Sequence, residues 1–388
     1  MASPSSKLGV AKSVIDQAKL AVRVRTMLGV KEDPNVKVGI NGFGRLGRLI
    51  CKIIQETEGI DVVAINDPHI DAEYMAYMLI YGKSNVAGPY RGDVLEEAGQ
   101  LLLDGRPVTV MAMRNCNEIN WVSAGVKYVV DCSGQTDVLK KANGHLTGGA
   151  LRVVVAAPCA NAPTFVMGVN HKAYNSEEVI STGSTAMHCL ALLCKVVHEA
   201  EATGGIEHAS ASVLHASRLP ELEQVQAGPG GAKSADWRSS RGEGIDIIPA
   251  ANESAQMIGT LLPELAGRVH GSSFRVPAPM GGASCVDLTV KLRQPCGLDA
   301  VRKAVRDAAE TPALVGTLGY RDDAVDSSDF VSDGRTCIFD GAASMALNDS
   351  FVKLIAWYNN EWAYCRRIVE LILHIQAVDH GVVGDALR

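Results

Sequence analysis

Three glycines, Gly42, Gly44 and Gly47, stand in the run Asn41-Gly42-Phe43-Gly44-Arg45-Leu46-Gly47, the spacing GxGxxG. Alone that spacing is weak. Here an apolar stretch at residues 36–40 precedes it, a helical pattern (Leu49, Ile50, Ile53, Ile54) follows it, and Asp67 comes twenty residues after Gly47. In this context each glycine has a physical role: a tight turn, a close approach of backbone to a pyrophosphate, and close helix–strand packing. The start of the helix offers unpaired N–H groups and partial positive charge to phosphates. Asp67 is placed to accept hydrogen bonds from adenine-ribose hydroxyls and to repel a 2′-phosphate, so the chemistry points to NAD rather than NADP. The alternative is a glycine-rich turn that holds no ligand.

The elements that must position these residues read as an α/β pattern. Strands are expected at residues 36–40, 61–65, 127–130 and 152–156, with helices after Gly47 and near 137–144, and Gly59 is placed to stop the first helix. Strands alternating with helices indicate a parallel sheet covered on both faces. The second half differs. Val286, Leu288, Val290 and Leu292 alternate with Asp287, Thr289, Lys291 and Arg293, the period of a half-buried and usually antiparallel strand. Similar strands are expected at 209–214 and 351–357, and a helix from about Glu361 carries Ile368, Leu371, Ile372 and Ile375 on one side. The Gly-, Pro- and Ser-rich segment 217–244 is too long for a mere connector.

Composition narrows the class. The 388 residues suffice for two domains, and 47% hydrophobic with 21% charged residues is the balance of a globular protein. No apolar run reaches the roughly 18–20 residues of a membrane span. A formal charge of −6 gives no reason to expect nucleic acid. The ten cysteines show neither CxxC pairs nor Cys/His ligand spacing, so buried free thiols are expected and neither a disulfide framework nor a metal site.

The runs KVGINGFGRLGR and VVAINDPHIDAEYMAYML, then APCANAPTFVMGVNHKAY, DWRSSRG, FRVPAP and ALNDSFVKLIAWYNNEW, resemble glyceraldehyde-3-phosphate dehydrogenase from Val36 to about Ile375. The resemblance implies a homotetramer. It also implies a Rossmann NAD-binding domain at 36–184, completed by a C-terminal helix at 361–378, and an α+β catalytic-type domain with a mixed or antiparallel sheet at 185–360. Residues 1–35 are then an extension and 379–388 a tail. It further implies an NAD pocket lined by Asn41, Phe43, Arg45, Leu46, Asn66, Asp67, Arg114, Ser133 and Asn360, with Asn360 near the nicotinamide amide.

The catalytic half departs from the family's pattern. The family carries serine-cysteine-threonine-threonine-asparagine-cysteine at the start of its central helix, whereas this chain has Ser184-Thr185-Ala186-Met187-His188-Cys189. Ser184 and Cys189 match, but Thr185 stands at the nucleophile's position and Ala186 replaces a phosphate-holding threonine. His215 matches the general base, and Arg238 and Arg275 match phosphate-binding arginines. Arg218 and Asn252-Glu253 stand where further phosphate ligands are expected.

A thiolate at a helix N-terminus beside a histidine is the group that attacks the aldehyde in this family, and a threonine hydroxyl is far less acidic. Cys189 lies one turn on, about 6 Å deeper at about 1.5 Å per residue, and reads as a packed core thiol. His188 reads as a packing histidine, with pairing to Cys189 or a carboxylate as the alternative. Three roles follow: an NAD-binding protein without the family's dehydrogenase activity, an oxidoreductase acting on another aldehyde or alcohol through His215, and a subunit of a larger assembly. Arg218, Arg238 and Arg275 leave room for a small-molecule anion. The leader contains Lys7, Lys12, Lys19, Arg23, Arg25 and Lys31, with Asp16 the only acid before Glu32, and its apolar residues follow a helical stripe. It reads as an address for a mitochondrion or plastid or as a docking helix, with a cytoplasmic protein as the alternative.

Overall fold

A computed structural model describes residues 35–82, 90–134, 138–159, 161–217, 246–250, 252–278 and 282–381. They fall into two compact units. The first runs up to Ser184 and takes up the chain again at Tyr364, and the second is Thr185–Ala363.

In the first unit the elements are β1 (Val36–Asn41), α1 (Arg45–Gln55), β2 (Ile60–Asn66), α2 (Ala72–Tyr81), β3 (Val94–Glu97), β4 (Gln100–Leu103), β5 (Arg106–Met111), β6 (Tyr128–Asp131), α3 (Val138–Thr147), β7 (Arg152–Val155) and β8 (Val179–Ser181). They form one eight-stranded sheet in the order β3-β4-β5-β2-β1-β6-β7-β8. All ladders from β5 to β8 are parallel, as the buried apolar runs predict. The antiparallel β3 and β4 add an edge that short, charged strands such as Val94–Glu97 do not announce. The chain starts in the middle, builds outward through β2, and returns to place β6 on the other side of β1. That reversal opens a crevice at the carboxyl ends of β1 and β6, where such sheets bind ligands.

Gly59 does not stop α1. The helix ends at Gln55, with Glu56 in right-handed conformation (φ −82°, ψ 0°) and its N–H bonded to the carbonyls of Lys52 and Ile54. A tightened last turn satisfies those carbonyls, and Gly59, at φ +86°, forms the turn into β2.

The second unit contains α4 (Thr185–Glu199), β9 (Ile206–Ser217), β10 (Ile248–Ala250), α5 (Glu253–Leu261), β11 (Val269–Pro277), β12 (Ser284–Leu292), α6 (Gly297–Glu310), β13 (Leu318–Arg321), β14 (Cys337–Asn348) and β15 (Phe351–Tyr358). Its seven strands lie in the order β10-β11-β9-β12-β15-β14-β13. The sheet is mixed: β9 is antiparallel to β12 but parallel to β11. Val286, Leu288, Val290 and Leu292 are buried, as their alternation predicts, and α4, α5 and α6 pack together. Residues 186–194 of α4 are all buried, which makes it the central helix of this unit.

Helix α7 (Trp362–Asp379) returns the chain to the first unit, where Ile368, Leu371, Ile372 and Ile375 are buried. Its end is held by a polar cluster. Asp379 accepts from Arg152 Nη2 at 3.1 Å and from the Tyr174 hydroxyl at 2.9 Å, and that hydroxyl accepts from Arg152 Nε at 2.9 Å. Tyr174→Phe removes one hydroxyl that both gives and takes a bond inside this buried cluster. It is expected to lower stability by about 1–2 kcal/mol, read as a reduced midpoint in chemical denaturation.

Candidate functional site

The glycine run sits between the ends of β1 and α1. Gly42 has φ +90°, a conformation that favours glycine, and its N–H bonds to the Asn66 carbonyl at 2.8 Å. A Cβ at Gly44 would meet nothing within 4 Å, so this backbone faces open space. A Cβ at Gly47 would overlap the carbonyl oxygen of Gly42. Gly44 is the N-cap of α1 with no side-chain cap, and no acid occupies the first turn. The helix therefore presents N–H groups and partial positive charge to an anion.

Asp67 follows β2 and is 8% exposed. Its carboxylate accepts from the backbone N–H of Phe43 at 2.8 Å and of His69 at 2.9 Å. It thus anchors the glycine loop, and each oxygen retains a lone pair for a ribose hydroxyl. Asn41 and Asn66 form the floor: Asn66 Nδ2 donates to Asn41 Oδ1 at 2.8 Å, and Asn41 Nδ2 donates to Asp131 Oδ1 at 3.0 Å. Asp131 also accepts from the Ser133 N–H at 3.0 Å. Asn66 is fixed by the N–H and carbonyl of Met113, next to the exposed Arg114. Arg45 and Leu46, both half-buried, open α1, and the Leu46 carbonyl accepts from the Cys365 thiol at 3.9 Å.

Asp131 is a residue that sequence reasoning missed, although an acid closing the apolar run Tyr128–Asp131 repeats the signal of Asp67. Behind it lies His145, fully buried, with Nε2 3.7 Å from Asp131 Oδ2. Trp121 Nε1 donates to His145 Nδ1 at 3.1 Å. An indole N–H only donates, so Nδ1 carries no proton and the ring proton sits on Nε2, facing the carboxylate.

In the second unit Thr185 is the first residue of α4 and is half-buried. Cys189 is fully buried, and burial, with the Cys337 thiol next, holds its pKa well above the usual thiol range. His188 is 2% exposed, within the packed length of α4. His215 lies near the end of β9, and its Nδ1 shares a 2.9 Å hydrogen bond with the Tyr358 hydroxyl. Arg275 is its register partner on β11. Burial, and then the positive charge of Arg275, push the His215 pKa down to about 4. His215 is therefore neutral at physiological pH, an imidazole able to accept a proton.

Because the unfolded chain takes up that proton near the ordinary value of 6.5, His215 contributes stability above pH 6.5. That contribution is lost as pH falls from 6.5 towards about 4. Nitrogen NMR of labelled histidine is expected to show His215 neutral at pH 5.5. A titration midpoint near 6.5 would contradict this geometry.

Asn252 is committed to the fold. Its Oδ1 caps α5 by accepting from the Ala255 N–H at 3.0 Å, and its Nδ2 donates to the Ser272 carbonyl at 2.9 Å. Glu253 adds an acid in the first turn of α5. Arg218 and Arg238, and the 1–35 extension apart from Asn35, lie outside the described residues. All ten cysteines are free, and among the described residues no group of three or more His, Cys, Asp or Glu could hold a metal ion. No helix among the described residues is long and apolar enough to cross a membrane.

Fold and loop together define a protein with a Rossmann-type dinucleotide-binding unit and an α+β unit of the dehydrogenase kind. The family model described as the NAD binding domain of glyceraldehyde 3-phosphate dehydrogenase matches residues 36–138, and that of its C-terminal domain matches 184–360. The chain is 44% identical over 341 residues to glyceraldehyde-3-phosphate dehydrogenase of Danio rerio, covering 88% of this chain and 98% of the relative. It is 44% identical over 343 residues to a cytosolic enzyme of that name from Chondrus crispus, covering 88% and 98%. A chloroplastic one from Arabidopsis thaliana is 43% identical over 344 residues, covering 88% of this chain and 78% of the relative. The chain belongs to the glyceraldehyde-3-phosphate dehydrogenase family, and its cofactor is NAD.

Proposed function

We propose that this protein binds NAD but does not carry out the phosphorylating oxidation of glyceraldehyde 3-phosphate, and that it serves as a structural or regulatory subunit. The observation that carries this reading is Thr185 at the first turn of α4, where the resemblance implies the family's nucleophilic cysteine. An alcohol there has no low-pKa anion to attack an aldehyde, and the neutral His215 is a modest activator. An ester formed on Thr185 would also yield less readily to phosphate than a thioester. The capped start of α5 supports the same reading, because Asn252 spends both ends of its carboxamide within the fold.

The test combines two measurements on protein purified free of host enzyme. NAD is expected to raise the thermal midpoint, and glyceraldehyde 3-phosphate with NAD and phosphate is expected to give no NADH. Turnover within about tenfold of an ordinary family member would refute the reading.

His215 with its Tyr358 partner favours a second reading, an NAD-dependent oxidoreductase acting on another aldehyde or alcohol with His215 as acid and base. A panel of aldehydes and alcohols tests it, and a rate unchanged by His215→Ala would exclude it. For either reading, a homotetramer is the proposed assembly, with Arg275 a partner for a small anion. The basic leader supports an organellar address.

A further inference from the structure

Asn35, the residue before β1, donates from Nδ2 to Asp61 Oδ2 at 2.7 Å. It lies on the wall of a cavity of about 450 Å³ at the amino ends of β1 and β2, the opposite end of these parallel strands from the glycine loop. The floor is apolar, with Ile54 from the last turn of α1, Ile60 from β2 and Leu103 from β4. The rim is acidic. Glu56 and Glu58 follow α1, Asp61 belongs to β2, and Asp104 stands in the turn between β4 and β5. Among the described lining residues Arg106 is the one cation, and its guanidinium is paired with the Asp61 carboxylate. Glu56 meets the exposed Arg91 at 4.0 Å, beyond the reach of a hydrogen bond. Helix α1 also ends here, and its C-terminal carbonyls add partial negative charge.

The chain that enters at Asn35 carries the complementary pattern. Its stretch Val22-Arg23-Val24-Arg25-Thr26-Met27-Leu28-Gly29-Val30-Lys31 has three cations, five apolar side chains and no acid. Glu32, Asp33 and Pro34 separate it from Asn35, so Lys31 lies at most about 14 Å along the chain from the cavity wall. A tether this short gives an effective concentration on the order of millimolar, so ion pairs that are weak one by one suffice to hold the segment. A separate basic protein would have to displace it.

We infer that residues 22–31 dock on this cavity, with apolar side chains against Ile54 and Leu103 and with Arg23, Arg25 and Lys31 on the acidic rim. Seated there, the cations of the leader are withheld from an address-reading receptor or an assembly partner, whatever the glycine loop binds.

Limited trypsin digestion of the full chain, followed by mass spectrometry, tests the inference. Glu56→Gln combined with Glu58→Gln removes two rim charges at exposed positions and should leave the thermal midpoint unchanged. Cleavage after Arg23 and Arg25 is expected to be about tenfold faster in this variant than in the wild type, because cleavage follows the population of undocked segment. Added salt, which screens exposed charges, should narrow that difference. Carbodiimide coupling in a mixture of isotope-labelled and unlabelled wild type should join Lys31 to Glu56 or Glu58 of the same chain. Equal cleavage rates in the two proteins overturn the inference. So does coupling found only between labelled and unlabelled chains, which makes a second copy the occupant, or coupling of Lys31 only to acids away from the cavity.

Discussion

Replacing Thr185 by cysteine is expected to raise glyceraldehyde 3-phosphate-dependent NADH formation at least ~100-fold over the background rate proposed for the wild type. Thr185 opens the 15-residue helix α4, where unpaired N–H groups and the helix dipole favour a negative charge. A thiol placed there ionises well below its ordinary value of about 8.5, whereas an alcohol does not ionise at any physiological pH. His215 is already in the same unit with its Nδ1 held by Tyr358. The gain stops short of an ordinary family member, because Ala186 and the capping Asn252 still occupy positions where phosphate ligands are expected. Steady-state NADH formation with iodoacetamide protection by substrate measures the effect. A wild type as fast as Thr185→Cys would show that the hydroxyl is competent, and the proposed function would fall.

A second large effect is expected at the glycine loop. Gly47→Ala should weaken NAD ~100-fold, equivalent to ~2.7 kcal/mol, and lower the thermal midpoint of the free protein. Its Cβ would overlap the Gly42 carbonyl oxygen and lie 3.2 Å from Ile40 Cγ2. Neither neighbour can yield cheaply. Gly42 is held at φ +90° by its bond to Asn66, and Ile40 is a fully buried residue of β1. Gly44→Ala separates folding from binding, because its Cβ enters open space. It should leave the free protein's midpoint unchanged and still weaken NAD, since the added methyl takes the place of an approaching pyrophosphate. Wild-type NAD affinity in Gly44→Ala would mean that the loop is only a turn.

Much of this molecule was legible in its residues because the signals are local. The period of apolar residues located β1, β2, β6, β7, β12 and α7 to within a residue or two, since one buried face imposes that period on any strand or helix. The glycine spacing and Asp67 located the turn between β1 and α1, because a positive φ at Gly42 and the close approach at Gly47 leave glycine as the residue that fits. Thr185, where the resemblance implies a cysteine, is a feature of residue type that needs no coordinates to read.

Other decisions belonged to the tertiary structure. Nothing near Asp131 in sequence reveals that it joins Asn41, Ser133 and the buried His145, which stands fourteen residues away on another element. Ser284 meets Asn360 across 76 positions of chain and Ala216 across 68, because three strands end at the same level of the sheet. The depressed pKa of His215 arises from burial and then from the charge of a register partner on β11. Residue type and spacing determine which chemistry is available to this protein. Only the long-range strand register decides which donor faces which acceptor, because hydrogen bonds and charge act over a few ångströms that the linear chain does not specify.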